Sequence, residues 1–190
     1  MKDDNLAIIN HTDIIFDKIT EGINRPGLFF DLDGGHGKGH TARVLKLLSF
    51  ISYLEKLDEN ERTILAYAGL YHDIGRMDDS YNLTHGRMSY DKLISSDLVS
   101  KIKLGKEDIE ILRFIIENHC IPDKRGKANI IYYNIKDIDK ALKLYYIFKD
   151  ADGLDRVRFG DLDERFLRFN SSKKLVSAAK YLFLNGSDKI

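Results

Sequence analysis

At 190 residues the chain is sized for one domain with a substantial core. Its 30 Lys+Arg balance 30 Asp+Glu, so no global field favours nucleic acid, a membrane surface or an acidic partner. A single cysteine, Cys120, excludes an internal disulfide framework and a thiolate zinc cage and suits a reducing compartment. The start, MKDDNLAII, lacks a basic segment followed by an apolar one, and no apolar run approaches the ~20 residues of a membrane span, so the expected location is the cytoplasm.

In chain order, Leu6, Ile9, Ile14, Ile15 and Ile19 are spaced for an amphipathic N-terminal helix over about 4–20, ending near Gly22. Residues 24–39 hold five glycines and one of the two prolines, a loop able to bring backbone close to a ligand. Val44, Leu47, Leu48, Ile51 and Leu54 predict a long helix from His40 to about Leu57, with His40 in its first turn. Asp58 and Glu61 form a capping-box pattern ahead of Ile64, Leu65, Ala68 and Leu70, so a further helix runs towards Tyr71 and is stopped by Gly75. Helices are also expected from Thr84 to Leu93, from Lys106 to His119 with Pro122 closing it, and from Asp137 to about Asp152. Residues 128–135, ANIIYYNI, read as an apolar connector. Short helices near Leu162–Phe169 and Leu175–Leu184 complete an all-α bundle, the last one stopped by Gly186.

Five of the six histidines, His36, His40, His72, His85 and His119, fall at helix ends or in adjoining loops rather than within apolar stripes. The doublet His72-Asp73 lies between His40 upstream and Asp150 downstream, each on a predicted helix. Imidazole nitrogen with carboxylate oxygen suits divalent first-row metals, provided that separate helices carry the side chains to one point. His85 and His119 lie between the doublet and Asp150 and allow for a second ion. Lys38 and Arg76 flank these residues and could hold a phosphate, one as a point charge and the other as a bidentate fork; Arg87 is a similar candidate. Asp152, two residues beyond Asp150 on one helix, is expected to face elsewhere and to support the site from behind. One of Arg156 and Arg158 is expected to lock its helix by buried pairing.

Three other motifs fail. Gly37-Lys38 is followed by Gly39 rather than Ser or Thr and lacks the upstream glycine of a phosphate-binding loop. Asp31-Leu32-Asp33-Gly34 has His36 where a calcium loop needs glycine and Ala42 where it needs glutamate. His119-Cys120 are adjacent, which seldom lets one group activate the other, so Cys120 reads as a spectator thiol.

The segments GHTARVL, YHDIGR and FKDADGLDRVR resemble the motif of the HD superfamily of metal-dependent phosphohydrolases, over about residues 36–158. The resemblance implies a single HD-like all-α helical domain over 1–190, with the N-terminal helix and helices over 162–185 packed on the motif-bearing core. It implies a first metal held by His40, His72, Asp73 and Asp150, with Asp73 able to bridge to a second ion on His85 and His119. In some relatives those extra histidines contact substrate phosphate instead. The implied activity is hydrolysis of a small phosphorylated substrate, a nucleotide or another phosphoester, by water activated on one or two divalent ions, whether Mn, Fe, Ni, Co or Mg. Asp73, His36, Lys38 and Arg76 are then the catalytic candidates, with Asp73 or Asp78 accepting the proton of water. A di-iron oxygenase and a non-catalytic nucleotide- or metal-binding sensor are the alternatives. Neither nucleic acid nor a membrane is expected as a partner, and a homo-oligomer stays open.

Overall fold

The computed structural model describes residues 8–186, and among these the regular structure is helical, with no strand. The helices are α1 (Ile14–Thr20), α2 (Lys38–Leu54), α3 (Glu59–Tyr71), α4 (His85–Ser95), α5 (Lys106–Asn118), α6 (Asp123–Asn129), α7 (Ile138–Leu154), α8 (Asn170–Lys174) and α9 (Val176–Asn185). None is long and apolar enough to cross a membrane.

Helix α3 is the axis of the bundle, packed on α1, α2, α4, α5 and α7. Its apolar face, Ile64, Leu65 and Ala68, is buried against Val44, Leu47 and Leu48 of α2, Leu112 and Ile115 of α5, and Leu144, Tyr145 and Phe148 of α7. A core of this density makes any loss of volume costly. The capping box forms as the sequence indicates: the Asp58 carboxylate accepts from Glu61 N at 2.8 Å and Glu61 accepts from Asp58 N at 3.1 Å. Nearby, Asp108 of α5 accepts from Asn60 (2.9 Å) and from Lys140 of α7 (2.9 Å), fastening the starts of three helices.

Four boundaries differ from the periodicity. The N-terminal helix is not continuous over its expected range: residues 11–13 are not helical, and Asp13 caps α1 by accepting from Ile15 N (3.0 Å) while binding Arg62 of α3 (2.8 Å). The part before Ile8 lies outside the described residues. Pro122 does not merely close α5; it caps the start of α6, whose Gly126 lies against the hydroxyl end of Tyr145. The connector 128–135 therefore begins as the end of α6 and continues as a 3₁₀ turn over Ile130–Tyr132. In the tail a 3₁₀ turn over Glu164–Phe166 and the short α8 replace the helix expected near Leu162–Phe169.

Gly75 does not stop α3, which already ends at Tyr71. Its role is close approach: a Cβ there would meet the backbone of Met88 and Ser89 on α4, and its N–H donates to Ser89 Oγ at 2.9 Å. Gly86 does the same where α4 meets the carbonyls of Ile116 and Glu117 on α5. These two contacts bring the His72-Asp73 turn, His85 and His119 together.

Candidate metal centre

His72 and His119 occupy equivalent positions, each the C-cap residue of its helix with αR backbone. A helix end leaves carbonyls without intrahelical partners. Each ring folds back onto one of them: His72 Nδ1 donates to Gly69 O (2.9 Å) and His119 Nδ1 to Ile116 O (2.8 Å). His40, in the first turn of α2, donates from Nδ1 to the buried Asp155 carboxylate (2.8 Å), and His85, the first residue of α4, to Asn82 O (2.5 Å). With every Nδ1 so engaged, each Nε2 carries a lone pair.

The four lone pairs converge on Asp73. Its Oδ2 lies 3.4 Å from His72 Nε2 and 3.6 Å from His40 Nε2, and its Oδ1 lies 3.2 Å from His85 Nε2 and 3.6 Å from His119 Nε2. Within each histidine pair the nitrogens face one another, at 3.1 Å for His40 and His72 and at 2.9 Å for His85 and His119. Facing lone pairs beside a carboxylate oxygen repel unless a cation lies among them, and that donor chemistry is what a divalent metal takes. His40, His72 and Asp73 are buried ligand groups within reach of one ion. Phe148 packs edge-on against the rings of His72 and His119 and keeps the floor of the site apolar.

Burial would raise the Asp73 carboxyl, but His72 and His119 hold it well below the usual range. Burial likewise depresses His72, yet the adjacent Asp73 charge raises it overall. His40 is lowered by burial despite Asp155, and His85 is pushed down to about 3 by burial and by neighbouring His119.

Asp150 is not part of this cluster. It is fully buried on another side of α7, where it accepts from Arg168 NH1 (2.7 Å) and from the backbone N–H groups of Arg168 and Phe169 (both 2.9 Å). Asp152 stands in its place, with Oδ1 3.4 Å from His40 Nε2, and is held at about 2 because His40, His72 and His119 outweigh its desolvation. The expectation that Asp152 faces away from the site is corrected by helical phase. Leu144, Phe148 and Asp152 follow one another at i,i+4, so Asp152 lies one turn along from the ring that touches His72. Asp155 was the residue that sequence reading missed. Besides His40 it accepts from Arg43 (2.5 Å) and Arg158 (2.8 Å), a carboxylate that fixes both the tautomer and the ring of His40.

A cleft of about 240 Å³ opens over the cluster, walled by His36, Arg76, Asp152, Arg156, Arg158 and Phe159 among others. His36 donates from Nδ1 to Asp79 (2.6 Å), not to Asp78, whose carboxylate serves Ser80. Arg76 donates to Asp73 Oδ1 (3.0 Å). Lys38 takes no part in the cleft wall and pairs with Asp33 at 2.8 Å. Arg87 lines a different cleft, beside Arg113 and Tyr133. Arg158 is the buried locking arginine, and Arg156, paired with Asp161, is the exposed one. Cys120 Sγ lies within reach of His85 and His119 but donates to Leu83 O (3.3 Å), and burial pushes the thiol up.

The all-α bundle thus gathers histidines and aspartates from five helices around the Asp73 carboxylate, a donor set that could hold a divalent metal. The family model described as HD domain matches residues 38–157, and the chain belongs to that family, whose members are in general metal-dependent phosphohydrolases, some being non-catalytic. No curated protein and no solved structure matches the chain.

Proposed function

We propose that the protein is a two-ion phosphohydrolase acting on a small phosphorylated substrate, a nucleotide or another phosphoester. The observation that carries this reading is the division of Asp73 between two histidine pairs, one on each carboxylate oxygen. The first ion would be held by His40, His72, Asp73 and Asp152, and the second by His85, His119 and Asp73. Direct phosphate contact by His85 and His119 fits less well, because their N–H groups serve Asn82 and Ile116 and the nitrogens left over are lone pairs that repel phosphate oxygen.

Bound divalent ions acidify water towards neutral pH and offset charge on phosphoryl oxygens. The chain's own groups supply the rest. His36, oriented by Asp79, presents its second ring nitrogen for the proton of the attacking water. Arg76 and Arg158 give the cleft fixed N–H donors suited to phosphate oxygens. Two guanidinium groups beside the proposed metal sites favour a phosphate ester over oxygen activation. The balanced charge of the chain gives no phosphate-tracking surface for a nucleic-acid polymer.

Loading the purified protein with manganese, cobalt or zinc and screening phosphomonoesters and nucleotides for phosphate or pyrophosphate release tests the proposal. Turnover abolished by a chelator and restored by metal is expected. Tight nucleotide binding with no hydrolysis in any metal would replace it with a sensor.

A further inference from the structure

Resting on the hydrolase reading, the structure also bears on which phosphoester the site takes. Beside the cleft over the histidine cluster lies a larger one of about 600 Å³, and Asp152 and Arg156 belong to the walls of both. The floor of the larger cleft is apolar, made by Pro122, Gly153, Leu162, Phe166 and Leu167, with Phe166 72% exposed. Its charged groups are already committed. Asp123 binds Lys149 (2.8 Å) and Arg168 (2.7 Å), Arg156 pairs with Asp161, and Asp163 with Arg165 (2.7 Å). Four carboxylates (Asp123, Asp152, Asp161, Asp163) stand against three cations (Lys149, Arg156, Arg168), so this wall has no surplus positive charge for a second phosphate. An apolar surface ringed by satisfied ion pairs takes uncharged organic groups and disfavours anions.

We propose that this cleft seats the leaving group of the substrate, and that the substrate is a phosphate monoester of an alcohol bearing an uncharged, apolar or aromatic moiety rather than a polyphosphate or a multiply charged sugar phosphate. The water oxygen bonds to phosphorus, the ester P–O bond breaks, and the alcohol leaves with the proton given up by water, which yields inorganic phosphate. Phe166 is the specificity-determining residue, the exposed aromatic side chain of the cleft lining, and takes no part in the chemistry.

The test compares 2-phenylethyl phosphate with ethyl phosphate, two alkyl monoesters of equal charge, on the metal-loaded enzyme. In parallel, the matching non-hydrolysable phosphonates are measured by calorimetry. The phenyl compound is expected to be favoured about 10–100-fold, in KM and in phosphonate Kd rather than in kcat, the scale of burying one ring. Phe166→Ala should remove most of that preference, read as the ratio of KM and of phosphonate Kd between the two compounds. Equal binding of the two phosphonates, or a preference untouched by Phe166→Ala, would overturn the inference. Selective phosphonate binding that Phe166→Ala abolishes, with neither ester hydrolysed, would support the cleft's role while removing the hydrolase reading.

Discussion

Asp150 and Asp152 separate what sequence can and cannot decide about single residues. Two positions two apart on a helix diverge by about 200°, so only one of them can face the histidine cluster. Sequence reading reached that point and chose Asp150. The choice turns on tertiary structure, because Arg168 and the N–H groups of Arg168 and Phe169 come from a distant segment to cover Asp150. Asp152→Asn is therefore expected to reduce metal affinity by at least about 10–100-fold with little loss of stability, since disturbing a group that only supports a ligand already costs that much. Asp150→Asn should instead keep the metals and lower unfolding free energy by about 3 kcal/mol, since it breaks a buried, hydrogen-bonded charge pair. Elemental analysis and urea denaturation of both variants decide it, and the reverse pattern would restore Asp150 as the ligand. Asp155→Asn should also weaken metal binding about 10–100-fold, by releasing the His40 ring, without any contact to the ion.

At the scale of elements, the helices were largely legible because apolar spacing and caps act locally: the predicted capping box of α3 and the first-turn position of His40 on α2 both stand. The breaks at residues 11–13 and at Pro122 were not, since Asp13 is held by Arg62 and α6 is seated by Tyr145, contacts between segments far apart in sequence. Gly75 acts by close approach to α4 and does not end α3. A methyl there would press on the backbone of α4, so Gly75→Ala should cost about 1–3 kcal/mol and loosen the second ion, which a thermal melt with and without metal would show. Asp108 supplies a pH test. Burial would raise its carboxyl, but Lys140 and Asn60 lower it below its usual value. A depressed carboxyl stabilises the fold above its unfolded value of about 3.9 and loses that contribution as pH falls through the lower folded value. Wild type should exceed Asp108→Asn by about 1 kcal/mol near neutrality, with the gap closing below about pH 4. A gap independent of pH would show that the charge is not what matters.

For the molecule as a whole, the proposed ligands come from α2, the turn after α3, α4, the end of α5 and α7, so bound metal cross-links most of the bundle. Metal at about 100 times its Kd should stabilise the fold by about 2.7 kcal/mol, and a chelator should take that increment away. The most direct measurement of the two-ion centre is metal content per chain by elemental analysis, made on the same preparation that is assayed for phosphate release. Two ions per wild-type chain, one in His119→Ala, and phosphate release that disappears with the metal are predicted. A chain that retains no metal after loading, or hydrolysis that persists in metal-free protein, would contradict the account.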